Sequence, residues 1–408
     1  MIPLTVLAHP LTQTWELPVS PLFLSAVALC VLAGAARLSI RGSQGPPPAD
    51  NAPTQEQTPT AWFWAGRAIG LGLLVLAITA GLFGDPRELT NIAPVLVLGA
   101  GWPLLVLASA ALGPAWQWLD PFDSLARLVA PLGAGDGPDT QPNLAWAIPA
   151  AVVWVAYLTM WPGHLQPRSI GIAVLGYTIV TLAGCLALGR RTWLSQAEVF
   201  GVFFGCVAAV RRRGYRAELP AGAHLLLATL AAGFVYGLLR DSQLLASIGY
   251  GPRSTLYSAL ALGGIMAVSL ALAYGLQRTE ERRGGRGVVA VALVPATVFL
   301  ALSLALARNR FTTSLQLLTV LVTDPFGRDP QALVTSMAGL RPRPLGVAAL
   351  LGVQIGLLVV GHVLGVLLAG RRAAATAPER PRRALGPSVT LLAVLVCVAV
   401  AAVAATAV

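Results

Sequence analysis

Asp324, Arg328 and His362 are the residues of this sequence best suited to chemistry. Asp324 and Arg328 close an apolar run, residues 311 to 328, that is too short to cross a bilayer and has Gln316 inside it and Arg308, Asn309 and Arg310 just before it. An acid and a base this close can neutralise one another, hold a substrate anion or pass a proton, and ionisable groups at membrane depth are costly enough to mark function. His362 is the histidine deep within an apolar span, either a proton carrier or a hydrogen-bonded packing residue. Gln354 in the same span, and Arg240 with Asp241 at the end of another, join Gln316, Asp324, Arg310 and His362 as the candidate substrate or proton pathway, and Arg67 early in a further span is a scattered polar residue. Arg240 and Asp241, adjacent in sequence, point apart on a helix and each needs another partner.

A structural reading stands beside the chemical one. Asp324-Pro325 has the form of an N-cap followed by proline at the first helical position, so Asp324 is expected to cap a short helix running through 339. The same tripeptide occurs at Asp120-Pro121-Phe122, followed by Asp123 and Arg127. There Phe122, Leu125 and Val129 share one helical face and Asp123, Ser124 and Arg127 another, which describes a short interfacial amphipathic helix, with Trp116 and Trp118 at headgroup level. Two Asp-Pro-Phe turns on opposite faces are what an inverted repeat leaves behind, and also what chance recurrence of three residues gives.

Metal and nucleotide chemistry have little footing. His9, His164 and His224 lie at span ends or outside, no HxH, HExxH or HxxEH pairing occurs, and Cys30, Cys185, Cys206 and Cys397 each sit alone in an apolar run, so no metal site is expected. No Walker A motif, GxGxxG after a strand or GxSxG in a meaningful context is present, and no cofactor is indicated.

The elements that must position these residues are membrane spans. With 56% hydrophobic and 11% charged residues, no water-soluble fold could hide the apolar surface. Ten stretches have the length of a span: 19–40, 61–84, 91–113, 144–163, 169–189, 224–241, 254–277, 288–307, 345–370 and 384–408. Only helices close their own backbone hydrogen bonds across such lengths, and the Ala, Leu and Gly content agrees, so the fold class is all-α, a polytopic bundle with two short re-entrant or interfacial helices. The net charge of +11, carried by 28 arginines against 17 acids, is a topology signal of short loops and not a nucleic-acid surface; the lipid bilayer is the expected partner.

Arg190 and Arg191, then Arg211, Arg212, Arg213 and Arg216, flank residues 192 to 210 and would put one cluster outside if that segment crossed. It is therefore expected to lie along or dip into the cytoplasmic face, its Glu198 fitting an interfacial helix. Arg278, Arg282, Arg283 and Arg286, and the group from Arg371 to Arg383, belong inside by the same rule. Residues 308–344 must then leave and re-enter on the outer side, which puts 18 arginines in cytoplasmic loops against 9 outside; a crossing there would give 16 against 11. The resulting plan is one membrane domain over 1–408, with a proline-rich cytoplasmic linker at 42–60, interfacial cytoplasmic segments at 114–143 and 192–216, an outward re-entrant segment at 308–344, and both termini outside. Residues 1 to 8 are too short for the core of a signal peptide, so the first span is expected to serve as an uncleaved targeting signal.

Taken in order, Ala8-His9, Leu17-Pro18, Asn91-Ile-Ala-Pro94, Asp120-Pro-Phe-Asp-Ser-Leu-Ala-Arg127, Gly189-Arg-Arg-Thr-Trp-Leu194 with Glu198, Asp324-Pro-Phe-Gly-Arg328 and Gly361-His-Val363 resemble the fenitrothion hydrolase-like membrane proteins of actinobacteria. The resemblance covers almost the whole chain, and departs from the pattern at Pro10 to Thr14, where the family has a glycine-rich stretch. It implies hydrolysis of an aryl phosphotriester, with Asp324 or His362 as general base and Arg328 or Arg310 on the phosphoryl charge. The residues themselves equally support a transporter or permease for a small solute, using a broken helix and a path through Gln316, Gln354 and His362. An accessory or assembly factor, with a membrane-protein partner or a second copy of the chain, needs no site at all.

Overall fold

The computed structural model describes residues 20–41, 61–129, 131, 144, 146–160, 163–240, 242, 255–307, 310–341 and 344–405. His9, the 42–60 linker, most of 130–143, Asp241, Arg308 and Asn309 lie outside the described residues.

Every regular element among the described residues is a helix. In chain order these are α1 Pro21–Arg41, α2 Ala61–Phe83, α3 Ile92–Leu112, the short α4 Ala115–Leu119 and α5 Pro121–Val129, α6 Ala147–Met160, α7 Pro167–Leu188, α8 Arg190–Gln196 and α9 Val199–Arg213. There follow α10 Ala223–Arg240, α11 Thr255–Arg282, α12 Val288–Leu306, α13 Arg310–Leu321, α14 Pro330–Met337, α15 Val347–Thr376 and α16 Pro381–Ala404. Nine of them, α1, α2, α3, α7, α10, α11, α12, α15 and α16, are long and apolar enough to cross a membrane. The chain is an all-α polytopic membrane protein.

Contacts between loops divide the bundle into two ends. At one end, Arg372 donates to the carbonyls of Arg286 (2.8 Å) and Tyr215 (3.4 Å), Arg283 to that of Arg383 (3.0 Å), and Arg211 to that of Ala111 (3.2 Å). This basic end gathers the arginine-rich loops that follow α9, α11 and α15, beside the end of α3. Helix α6 has only 14 residues, yet it runs the full depth beside α10. The Leu144 N–H meets the Ala221 carbonyl at the basic end, Val155 packs on Gly233, and the Thr159 carbonyl accepts from Arg240 at the other end. The nine membrane-length helices and the shorter α6 fall at the ten positions expected from hydropathy.

Two segments among the described residues have their start and finish at the same end of the bundle. Helices α8 and α9 bend by 70° at Ala197–Glu198; Arg190 at the start binds Asp123 and Arg211 near the finish reaches Ala111, so both ends lie at the basic end. The segment after α12 behaves alike at the opposite end. Arg310 opens α13 beside Glu88, and beyond α13 the carbonyls of Phe326 and Pro325 accept the N–H groups of Asp85 (2.8 Å) and Ile92 (3.1 Å). Gly327 makes that docking possible, with φ of +66° and its α-carbon so close to the Thr90 carbonyl that any side chain would overlap it.

Helices α10 and α12 are the enclosed centre. Helix α12 carries no charged residue and is apolar on every side, as a helix surrounded by other helices must be. A smaller packing group joins α2, α3, α7 and α13 through Ala80, Ile92, Ala93, Val95, Ile170, Leu317 and Leu321.

Three local expectations are corrected. Asp324 does not cap a helix through 339: residues 322–329 form turns, Asp324 accepts the Asp329 N–H (2.8 Å), and the helix begins at Pro330 after Asp329. A second Asp-Pro pair thus takes the cap position, because the first is used to dock the turn. The polar face of α5 is not solvated, since Asp123 is buried among arginines of other elements. Glu198 likewise is not interfacial but fully buried, and Trp116 packs inside while Trp118 is exposed.

Candidate functional site

Two sites meet across one aromatic layer. The first is ionic and is built on α2, where Gly66 and Gly70 lack side chains and let the backbone of Trp118 and Leu119 lie directly against the helix. Arg67, between those glycines in sequence, reaches the Asp120 carbonyl (2.8 Å) and the Asp123 carboxylate (2.9 Å). Asp120 caps α5 as its sequence requires, Oδ1 accepting from the N–H groups of Phe122 and Asp123 (both 3.0 Å), with Pro121 at the first position. Asp123 also takes Arg127 (3.1 Å) from the next turn and Arg190 from α8. One carboxylate therefore clamps three elements.

The two aspartates diverge electrostatically. Burial would raise Asp123, but Arg67, Arg127 and Arg190 outweigh it and hold the carboxyl below its ordinary value. For Asp120 burial dominates the Asp123 N–H and Arg67, and pushes it up to about 6.

Glu198 stands at the turn between α8 and α9, its carboxylate accepting from Phe200 N–H (3.0 Å), from Gly201 N–H and from the Tyr177 hydroxyl (2.6 Å). The Tyr177 oxygen accepts in turn from Val199 N–H (3.2 Å). Tyr177 lies near the middle of α7, so the turn reaches deep into the bundle. These hydrogen-bond partners of Glu198 are all neutral, in contrast to those of Asp123; a buried carboxyl without a counter-charge is set to exchange a proton rather than to hold its charge.

The second site is a cavity of about 500 Å³ among α3, α6, α10, α12 and α13. Glu88, His164, Arg240 and Arg310 stand at its rim, at the end of the bundle away from the arginine-rich loops, and Trp102 and Trp154 line it at mid-depth. One wall is a π-helical turn, Val95–Gly99. Its cause is local: Pro103 has no N–H for the Gly99 carbonyl and its ring crowds that carbonyl, so the chain widens there. Gly99 then leaves room for Ser314 of α13.

Phe200 joins the two sites. Its ring meets Trp102 (5.5 Å) and Trp154 (5.4 Å) on the cavity side and Tyr177 (5.3 Å) on the other, while its own N–H binds Glu198.

The residues singled out by sequence are distributed unevenly. Asp120, Asp123 and Arg127 converge with Arg67, Arg190 and Glu198; Arg240 and Arg310 share the cavity. Asp324, Arg328 and His362 do not come together: the first two are in the turn docked on residues 84–92, Arg328 lying over the Phe326 ring (5.2 Å), whereas His362 is fully buried in the middle of α15. Its Nδ1 lies 2.7 Å from the Leu358 carbonyl, and Nε2 has no partner. Nor do the three polar residues of the expected path align. Gln354 donates to the Ser303 carbonyl (2.9 Å), while Gln316 exchanges bonds with the backbone of Arg341 (3.0 and 3.1 Å). The two Asp-Pro-Phe turns sit at opposite ends but differ in form, one starting a helix and one not. What sequence reasoning missed is Arg190, Tyr177 and the aromatic layer. The signal for Arg190 was present in its pairing of a loop arginine with a buried acid; Tyr177 and Phe200 carried none.

Among the described residues no group of three His, Cys, Asp or Glu side chains converges as metal ligands. No protein-family model, curated protein or solved structure matches the chain.

Proposed function

We propose that this protein is a proton-coupled permease for a small solute. The observation that carries the reading is that Phe200 separates a cavity at one end of the bundle from the buried Glu198–Tyr177 pair towards the other. Solute enters past Glu88 and Arg310, rests on Trp102 and Trp154, and crosses when the α8–α9 turn moves. Glu198 supplies the coupling, because its protonation changes the hydrogen bonds that hold that turn against α7. The arginine-rich end faces the cytoplasm and the cavity faces outward, the orientation in which basic loops stay inside.

The test is uptake in proteoliposomes of purified protein. An inward proton gradient drives accumulation or exchange of solute in the native protein, and Glu198→Gln abolishes the dependence on the gradient while leaving the protein folded. A Glu198→Gln variant with native gradient-driven uptake would sink the mechanism.

Membrane-embedded phosphotriester hydrolysis, implied by the resemblance to the fenitrothion hydrolase-like proteins, remains a second proposal. It rests on the resemblance alone, since Asp324, Arg328 and His362 stand apart. Release of nitrophenol from an aryl phosphotriester by the purified protein, with divalent metal supplied, would establish it.

A further inference from the structure

We infer that the cavity binds an organic anion with an apolar body, its charged group between Arg240 and Arg310 and its body against Trp102 and Trp154. The inference rests on the permease reading for its biological sense, but the binding site stands on its own geometry.

Among the described residues, four ionisable groups line the cavity, and their balance is positive: Arg240 and Arg310 against Glu88, with His164 beside them. Arg240 is the last residue of α10 and is fixed in place by donating to the Thr159 carbonyl, so its guanidinium is oriented before any ligand arrives. Arg310 is the first residue of α13, and Thr313 and Ser314 from the same first turn also line the space. A helix start adds N–H groups and a positive dipole end to the two guanidiniums, a combination suited to a carboxylate or phosphate. Glu88 is the opposing group. Partial desolvation raises it above the ordinary glutamate value against the pull of Arg310, so the charge of the acid that would repel an anion is disfavoured.

Below that ring the lining changes character. Leu98, Trp102, Trp154 and Phe234 offer apolar and aromatic surface without a formal charge. A volume of about 500 Å³ falls within the roughly 300–1,000 Å³ of small-molecule sites. Inorganic anions would leave the aromatic part unfilled and cations would meet two arginines, so an anionic head on an apolar body is the complementary chemistry. That chemistry comes either from a soluble organic acid or from a lipid headgroup with its acyl chain.

The probe is 2-naphthoate, titrated calorimetrically into full-length protein in phosphatidylcholine nanodiscs, with 2-naphthamide as the neutral comparison. Saturable naphthoate binding is expected, with the amide at least about tenfold weaker, and Arg310→Gln and Arg240→Gln each weakening naphthoate about tenfold. Arg168→Gln, an exposed arginine at the same end, leaves the affinity unchanged. Arg240→Gln loses a tie between α10 and α6, so Arg310→Gln is the variant that decides if the other unfolds. Equal binding of naphthoate and naphthamide, or native affinity in a folded Arg310→Gln protein, overturns the inference. Nanodiscs with phosphatidylglycerol identify the source: competition with naphthoate assigns the site to a lipid headgroup, and its absence to a soluble acid. Glu198→Gln separates the two claims, since it keeps naphthoate binding even where gradient-driven uptake is lost. Uptake of a neutral solute without naphthoate binding would spare the permease and remove the anion site.

Discussion

At the scale of single residues the decisive contrast is between Asp123, held by three arginines, and Glu198, held by neutral donors alone. Breaking a buried charge network by removing one partner leaves the others uncompensated. Asp123→Asn is therefore expected to cost about 3–5 kcal/mol, because Arg67 and Arg190 stay buried without it, and thermal unfolding in detergent measures the loss. Asp120 answers to pH. Its folded value, about 6, is above its ordinary 3.8, so the fold favours the protonated form; the stability this contributes is complete below about pH 4 and is lost as pH rises through about 6. Asp123 has the opposite sign and loses its contribution only at still lower pH. Asp120→Asn keeps the capping oxygen and is expected to flatten the fall in melting temperature between about pH 4 and pH 6. A variant that falls as steeply as the native protein over that interval would show that another group is titrating.

At the scale of elements, the short helices matter more than the spans. The spans were legible because about 20 apolar residues can only be a membrane helix in this composition, and the arginine clusters correctly grouped the loops at one end. The interior of the site was not legible, since hydropathy reports how apolar a segment is and not which neighbour it meets. Asp123 and Arg190 are 67 positions apart and come together only because α4 lies flat on the glycines of α2. Asp324 illustrates the opposite failure: a local capping rule was outvoted by two backbone hydrogen bonds to residues 84–92, which fixed 322–329 as a docking turn. Gly70→Ala tests the close approach directly. Its new methyl would overlap the Leu119 carbonyl, and a loss of about 1–3 kcal/mol is expected from forced separation, read again by thermal unfolding. Gly72→Ala, on the same helix with open space around it, serves as the neutral comparison.

At the scale of the whole molecule, the described helices give each end of the bundle a different character. The arginine-rich end receives the α8–α9 turn, and the opposite end receives the α13 hairpin and the cavity. A cysteine replacing Asp329, in a protein whose four native cysteines are removed, is expected to be labelled by a membrane-impermeant maleimide from outside intact cells. Labelling only after the cells are opened would reverse the orientation. Segments far apart in sequence meet in pairs at this scale: 120–127 and 189–198 through Asp123 and Arg190, and 91–94 and 324–328 through the Pro325 carbonyl.

The cavity has an electrical consequence. In the orientation proposed above, solvent filling it down to Trp102 and Trp154 would carry the outer potential to mid-depth, and the voltage would fall mainly over the partition formed by Phe200 and the α8–α9 turn. One elementary charge moved through that partition would then gain or lose most of about 2.3 kcal/mol per 100 mV.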